Sequence, residues 1–134
     1  KPAELKKWTD ENIVEYLGET NDVRPYIEDS YVIVLPSYHE GQGRVLLEAM
    51  AMGRAVITTN TSGCRQTVEY GNAGFLVPVK DVNSLAKKMV ETFDNVDETI
   101  KMAEKGYQRV VDVYDVNKIN KKILESIQLI KETL

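Results

Sequence analysis

The chain has 134 residues, 43% of them apolar and 28% charged, a balance that fits an ordinary globular domain and excludes disordered and fibrous classes. A net charge of −4 and a pI near 5.1 provide no basic field to recruit nucleic acid. No apolar run approaches the ~20 residues that span a bilayer, no signal-peptide pattern opens the chain, and a start at Lys1 instead of Met reads as processing or truncation.

The length is that of one domain, large enough to bury a core. The single Cys64 cannot form an internal disulfide, which fits a reducing, cytoplasmic setting. In chain order, Lys1 to Asn12 is polar with a short helical tendency, Leu5 and Trp8 falling on one face. Ile13 to Leu17 then reads as a strand closed by Gly18. Asp22 is a candidate cap for a short helix running to Asp29, with Pro25 tolerated in its first turn. Tyr31 to Leu35 is a second strand, stopped by Pro36. A helix from Arg44 to Gly53 and a third strand, Ala55 to Thr59, follow. Asn60 to Gly63 reads as a loop before a short helix from Arg65 to Tyr70. Turn residues Gly71 to Gly74 precede a fourth strand, Phe75 to Val77, ended by Pro78.

Three helices complete the chain. Asp81 to Phe93 carries Val82, Leu85, Ala86, Met89, Val90 and Phe93 on one apolar face. Asp97 to Val113 is expected to break near Gly106. Asp115 to Leu134 carries a stripe of Ile119, Ile123, Ile127, Ile130 and Leu134. Strands alternating with helices predict an α/β domain with a parallel sheet covered on both faces. Ligands of such sheets sit beyond the carboxyl ends of the strands. Three loops leave those ends, 18–22, 37–43 and 60–65, and they are expected to converge on one crevice.

The informative stretch runs from Leu35 to Gly53. Two glycines, Gly41 and Gly43, flank Gln42 and allow a sharp turn into a helix N-terminus. Free amides and the helix dipole make such a turn an anion site. Glu40 precedes the turn and Glu48 lies within the helix, among Val45, Leu46, Leu47, Ala49 and Met50. A carboxylate on so apolar a helix needs a partner. Arg44, four residues earlier, is one candidate. A pair of ribose hydroxyls is the other. Spacing alone leaves both open.

Glu40, seven residues, Glu48, then Ala49-Met50-Ala51 and Gly53 resemble the donor-site signature of the retaining glycosyltransferases of family 4. The likeness continues through residues 55–59, Gly63-Cys64-Arg65, Gly74-Phe75-Leu76-Val77-Pro78 and Leu85-Ala86. The resemblance implies a Rossmann-like three-layer α/β/α domain, the C-terminal half of a glycosyltransferase B fold, incomplete at its N-terminal side and lacking the acceptor domain. It implies transfer of a sugar from a nucleotide diphosphate-sugar, with uridine expected, to a saccharide or lipid-linked acceptor, as in cell-envelope or capsular polysaccharide synthesis. By the same resemblance Glu48 anchors ribose. Glu40, the catalytic candidate, contacts the donor sugar and places it for transfer. Gly41, Gln42 and Gly43 touch the sugar. Arg44, Val45 and Leu46 meet the diphosphate. Thr20 and Asp22 lie beside the base. No metal or other cofactor is implied, charge being handled by amides and basic side chains. The basic pair that relatives carry ahead of the first strand has no counterpart before Ile13, so the chain alone is expected to transfer no sugar.

Other readings remain. Gln42 and Arg44 depart from residues common in relatives, and Arg44 either meets phosphate or acceptor or pairs with Glu48. Position 46 is Leu46, so Gly41-x-Gly43 is no dinucleotide fingerprint, and no Walker A sequence occurs. His39 as a general base and a metal site at His39 and Cys64 are both disfavoured, since neither has a recognisable set of partners. Asn60-Thr61-Ser62 matches a glycosylation sequon by chance. The lysines of the last helix allow a peripheral contact with the inner face of a membrane, against the commoner outcome of packing on the sheet or a further domain. A nucleotide-sugar epimerase and a non-catalytic nucleotide-binding or interaction module are the alternative functions.

Overall fold

The structure, a computed structural model, describes residues 2–133, with side chains described for residues 2–126. A parallel sheet of three strands stands at its centre: β1 (Val32–Leu35), β2 (Ala55–Thr59) and β3 (Phe75–Val77), in the order β1-β2-β3. Val32 pairs with Ala55 and Leu35 with Thr58, while Ile57 pairs with Phe75. Side chains alternate across a strand, so each strand serves two cores. Ile33, Leu35, Val56 and Leu76 join one with Leu46, Ala49, Met50, Cys64 and Val68. Val32, Val34, Ala55, Ile57, Phe75 and Val77 face the other, with Leu85, Met102 and Ala103. The first core is roofed by α3 (Arg44–Ala51) and α4 (Ser62–Thr67), the second by α5 (Val82–Asp94) and α6 (Val96–Arg109). This is the expected α/β/α layering, and Cys64 is one of its buried packing residues.

Local chemistry sets the helix ends. In α2 (Arg24–Glu28) Pro25 sits in the first turn, and Asp22 accepts from the Arg24 N–H at 3.1 Å. Gly53, at φ 69°, follows α3 and stops it. Asp81 caps α5 by accepting from the Ser84 N–H at 2.9 Å. Arg54 donates to the carbonyls of Ile27 and Glu28 at 3.2 and 2.8 Å, tying the end of α2 to the start of β2.

Five expectations are corrected. Ile13 to Leu17 follows α1 (Pro2–Asp10) but forms no strand and is exposed throughout, because a strand exists only through a partner's hydrogen bonds. The helix expected from Arg65 begins at Ser62, since Thr61 caps it by accepting from the Cys64 N–H at 3.4 Å. A short 3₁₀ turn, Glu69–Gly71, takes up what was expected to be its end. The expected apolar face of α5 turns outward at Val82, Met89, Val90 and Phe93, and only Leu85 of that set joins the core. Capping by Asp81 and hydrogen bonds to the Thr92 carbonyl from Tyr31 Oη and Thr99 Oγ1, each 3.0 Å, fix the roll of the helix instead.

Gly106 does not interrupt α6. It lets the helix approach, since a Cβ there would lie 3.0 Å from the Ala73 carbonyl. A π turn, Val110–Tyr114, comes only afterwards. The last helix, α7 (Val116–Thr133), does not bury the described part of its stripe against the sheet: Ile119 and Ile123 are exposed. Its first turn is held by Asp115, and Lys118 Nζ donates to the Val111 carbonyl at 2.9 Å. The side chains of Ile127, Ile130, Lys131 and Leu134 lie outside the described residues. No described helix is long and apolar enough to cross a membrane.

Candidate functional site

β1 ends at Leu35, and Pro36 sends the chain into a turn of residues 37–43 that delivers it to α3. Gly43 is the hinge of that turn. It holds φ 61° and ψ 68°, a left-handed conformation that side chains disfavour, and no side chain caps the helix amides that follow. Buried threonines pin the turn from below. Thr58 Oγ1 donates to the Leu35 carbonyl at 2.9 Å, Thr59 Oγ1 to the Ser37 carbonyl, and Thr67 Oγ1 to the Gln42 carbonyl at 2.6 Å. Gly63 on α4 completes the support: a Cβ there would lie 1.9 Å from the Gly41 carbonyl oxygen. These supports are absent from the sequence reading. The signal available was a wholly buried strand, Ala55 to Thr59, that ends in two hydroxyl residues.

Glu40 stands exposed at the top of the turn and accepts from Ser37 Oγ at 3.0 Å. A cavity of about 340 Å³ opens beside it, lined by His39, Glu40, Gly41, Thr61 and Ser62. Two of the three loops expected to converge, 37–43 and 60–65, therefore do so. Loop 18–22 takes no part in lining this cavity. The Arg24 guanidinium has its pKa raised, first by the hydrogen bonds to Asp22 and in smaller part by the charge of Glu48.

Thr20 and Asp22 form a closed local unit. Thr20 Oγ1 donates to the Asp22 carbonyl at 2.9 Å and accepts from the Asp22 N–H at 3.1 Å. Both Asp22 carboxylate oxygens accept from Arg24, each at 2.8 Å. The Arg24 side chain and amide pull the Asp22 carboxyl down to about 2. The Asp22 carboxylate is thus already paired with the Arg24 guanidinium.

Glu48 is half-buried and not enclosed, its side chain 36% exposed. Arg44 Nε lies 3.8 Å from it, but Arg44 is 92% exposed and an ion pair so open to water is weak. The pair exists, and it leaves Glu48 accessible. Val45 is partly exposed in the first helical turn. Leu46 is different: its side chain is fully buried and its N–H is taken by the Gly43 carbonyl at 2.8 Å, so it supports the turn from inside. Among the described residues, no group of three or more His, Cys, Asp or Glu side chains stands together to hold a metal ion.

The arrangement is a helix start whose amides no side chain caps, with Glu40 exposed in the turn before it, Glu48 half-buried within the helix, and buried threonines holding the turn from below. Hydroxyl groups of a sugar suit the carboxylates, and a phosphate suits the amides. Known proteins resemble this chain in sequence and in fold. The sequence profile of glycosyl transferases group 1 matches residues 1–95. An uncharacterized glycosyltransferase of Haemophilus influenzae is 34% identical over 96 residues, 71% of this chain and 27% of that protein. The lipopolysaccharide core biosynthesis glycosyltransferase LpsE of Rhizobium meliloti is 29% identical over 98 residues, 73% of this chain and 29% of its own length. The crystal structure of HepE from Anabaena, in complex with UDP, superposes with a TM-score of 0.85 at 26% identity, over 94% of this chain and 35% of HepE. The chain thus spans about a quarter to a third of the proteins it matches.

Proposed function

Because this chain belongs to the glycosyl transferases group 1 family, we propose that it is the donor-binding domain of a retaining glycosyltransferase. The donor is a nucleotide diphosphate-sugar, with uridine as the base. The observation that supports this reading is a pair of accessible carboxylates, Glu40 in the turn before α3 and Glu48 within it, around a helix whose first amides no side chain caps. Glu48 takes the ribose hydroxyls and Glu40 orients the sugar. The backbone of Gly41, Gln42 and Gly43 contacts the sugar, and the first turn at Arg44 and Val45 meets the diphosphate, with Leu46 packing beneath. Arg24, paired to Asp22, adds positive charge on the Glu48 side, next to where Thr20 places the base. The identity of the nucleotide is supported by HepE, described in complex with UDP.

Transfer itself requires more than this chain. A leaving diphosphate needs cations and an oriented acceptor, and both are assigned to a further domain that binds a saccharide or lipid-linked acceptor. The pathway is that of cell-envelope polysaccharide, by analogy with LpsE, and the reaction is placed on the cytoplasmic side, with peripheral membrane contact through the longer enzyme. Titration of the chain with UDP, GDP and ADP by calorimetry tests the reading. Saturable binding with UDP preferred is the expected result, and no binding to any of the three overturns it. Incubation of the chain with UDP-glucose and an oligosaccharide is expected to yield no transfer. Product above background contradicts the need for a second domain.

A further inference from the structure

Thr67 belongs to no strand and touches no exposed surface, yet its hydroxyl reaches the donor turn from α4. A helical threonine ordinarily donates to the carbonyl four residues back. For Thr67 that is Gly63, at 2.9 Å, but the Gln42 carbonyl lies nearer, at 2.6 Å. The consequence follows from peptide geometry. In a trans peptide the C=O of one residue and the N–H of the next point in opposite directions, and no cis bond occurs among the described residues. Drawing the Gln42 carbonyl down onto Thr67 therefore turns the Gly43 N–H away from α4. Gly63 acts in the same sense on the preceding unit. The Gly41 carbonyl oxygen lies 1.9 Å from where a Cβ on Gly63 would stand, so this carbonyl faces α4 and the Gln42 N–H faces the other side. Thr59 does the same for the Tyr38 N–H through the Ser37 carbonyl.

We propose that Thr67 is a positioning residue for the nucleotide-sugar site, its buried hydroxyl fixing the Gln42–Gly43 peptide so that the Gly43 amide is presented to the diphosphate. The proposal rests on the donor-site reading above. It assigns a role to a side chain that never touches the ligand. Without the hydroxyl, the Gln42 carbonyl loses its buried donor and the Gly43 amide loses its fixed direction, and both glycines beside Gln42 allow the unit to rotate.

The test compares UDP affinity by calorimetry in the wild type, Thr67→Val, Thr67→Ser and Thr99→Val. Thr99 is a remote control, a threonine 2% exposed whose hydroxyl donates to the Thr92 carbonyl at 3.0 Å. Thr67→Val is expected to weaken UDP binding about tenfold, as loss of a buried donor predicts. Thr67→Ser, which keeps the hydroxyl, is expected to restore it, and Thr99→Val to leave it unchanged. Equal affinity of Thr67→Val and wild type overturns the proposal while the donor site stands. Equal weakening in Thr67→Val and Thr99→Val also overturns it, because both then report general loosening. Failure of the wild type to bind UDP removes the donor reading and this proposal together. A second measurement covers a Thr67→Val protein that does not fold. In ¹⁵N-labelled wild type, the Gly43 amide resonance is expected to shift on addition of UDP, and a Gly43 amide unmoved at saturation overturns the proposal.

Discussion

Ala55 to Thr59 is buried at every position, while Ile13 to Leu17, an equally short and apolar run, is exposed at every position. Both read as strands. The first lies between β1 and β3, which satisfy its backbone on both edges, and helices cover both of its faces. The second leaves α1 with no strand beside it among the described residues. Composition expresses a tendency toward β structure, and neighbours decide whether it is realised. The same contrast extends to helices. α3 buries Leu46, Ala49 and Met50 completely, whereas α5 leaves Val82 77% and Phe93 67% exposed. The turn of residues 37–43 is itself largely exposed but is tied to the partnered side of this divide through carbonyls held by Thr59 and Thr67.

Substitutions that separate the two regions should differ by several kcal/mol. Ile57→Ala removes a fully buried side chain from the middle strand and is expected to cost roughly 2–5 kcal/mol in chemical denaturation. Leu17→Ala, in the exposed run, is expected to change stability by less than about 0.5 kcal/mol. A comparable loss at both positions would mean that residues 13–17 pack in solution.

Between these extremes lies Gly63→Ala. Its new methyl would meet the Gly41 and Glu40 carbonyls at 1.9 and 2.3 Å, and backbone cannot step aside as a side chain can. Overpacking of this kind costs about 1–3 kcal/mol, and the donor turn is displaced with it. Gly63→Ala is therefore expected to abolish UDP binding in calorimetry while the protein still unfolds cooperatively. Retained affinity would show that the turn does not depend on α4 for its shape.

Legibility in the sequence followed the range of the interaction. β2 and β3 were read to the residue, because β-branched and aromatic runs bounded by glycine and proline carry a local signal. The turn and helix that carry Glu40 and Glu48 are also legible, since glycines and helix formers mark them locally. The threonine supports were not. Thr58, Thr59 and Thr67 act on carbonyls more than twenty residues away in sequence, and nothing near a threonine announces such a partner. Thr61 could have been read as a helix cap, and the helix was placed three residues late by treating Asn60 to Gly63 as loop. Glycine weakens helices, so Gly106 reads as a break, whereas its lack of a side chain serves close packing against Ala73. The roll of α5 depended on hydrogen bonds to Thr92 from Tyr31 and Thr99, which periodicity cannot see.

The central claim concerns Glu48, which either anchors ribose or serves only its ion pair with Arg44. Calorimetric titration of UDP into the wild type and Glu48→Ala, with thermal unfolding of both, addresses it most directly. UDP affinity is expected to fall by at least about tenfold, or 1.4 kcal/mol, with little change in unfolding temperature, because the exposed pair with Arg44 contributes little. Undiminished UDP affinity in Glu48→Ala, accompanied by a clear fall in unfolding temperature, would contradict it and make Glu48 a structural residue.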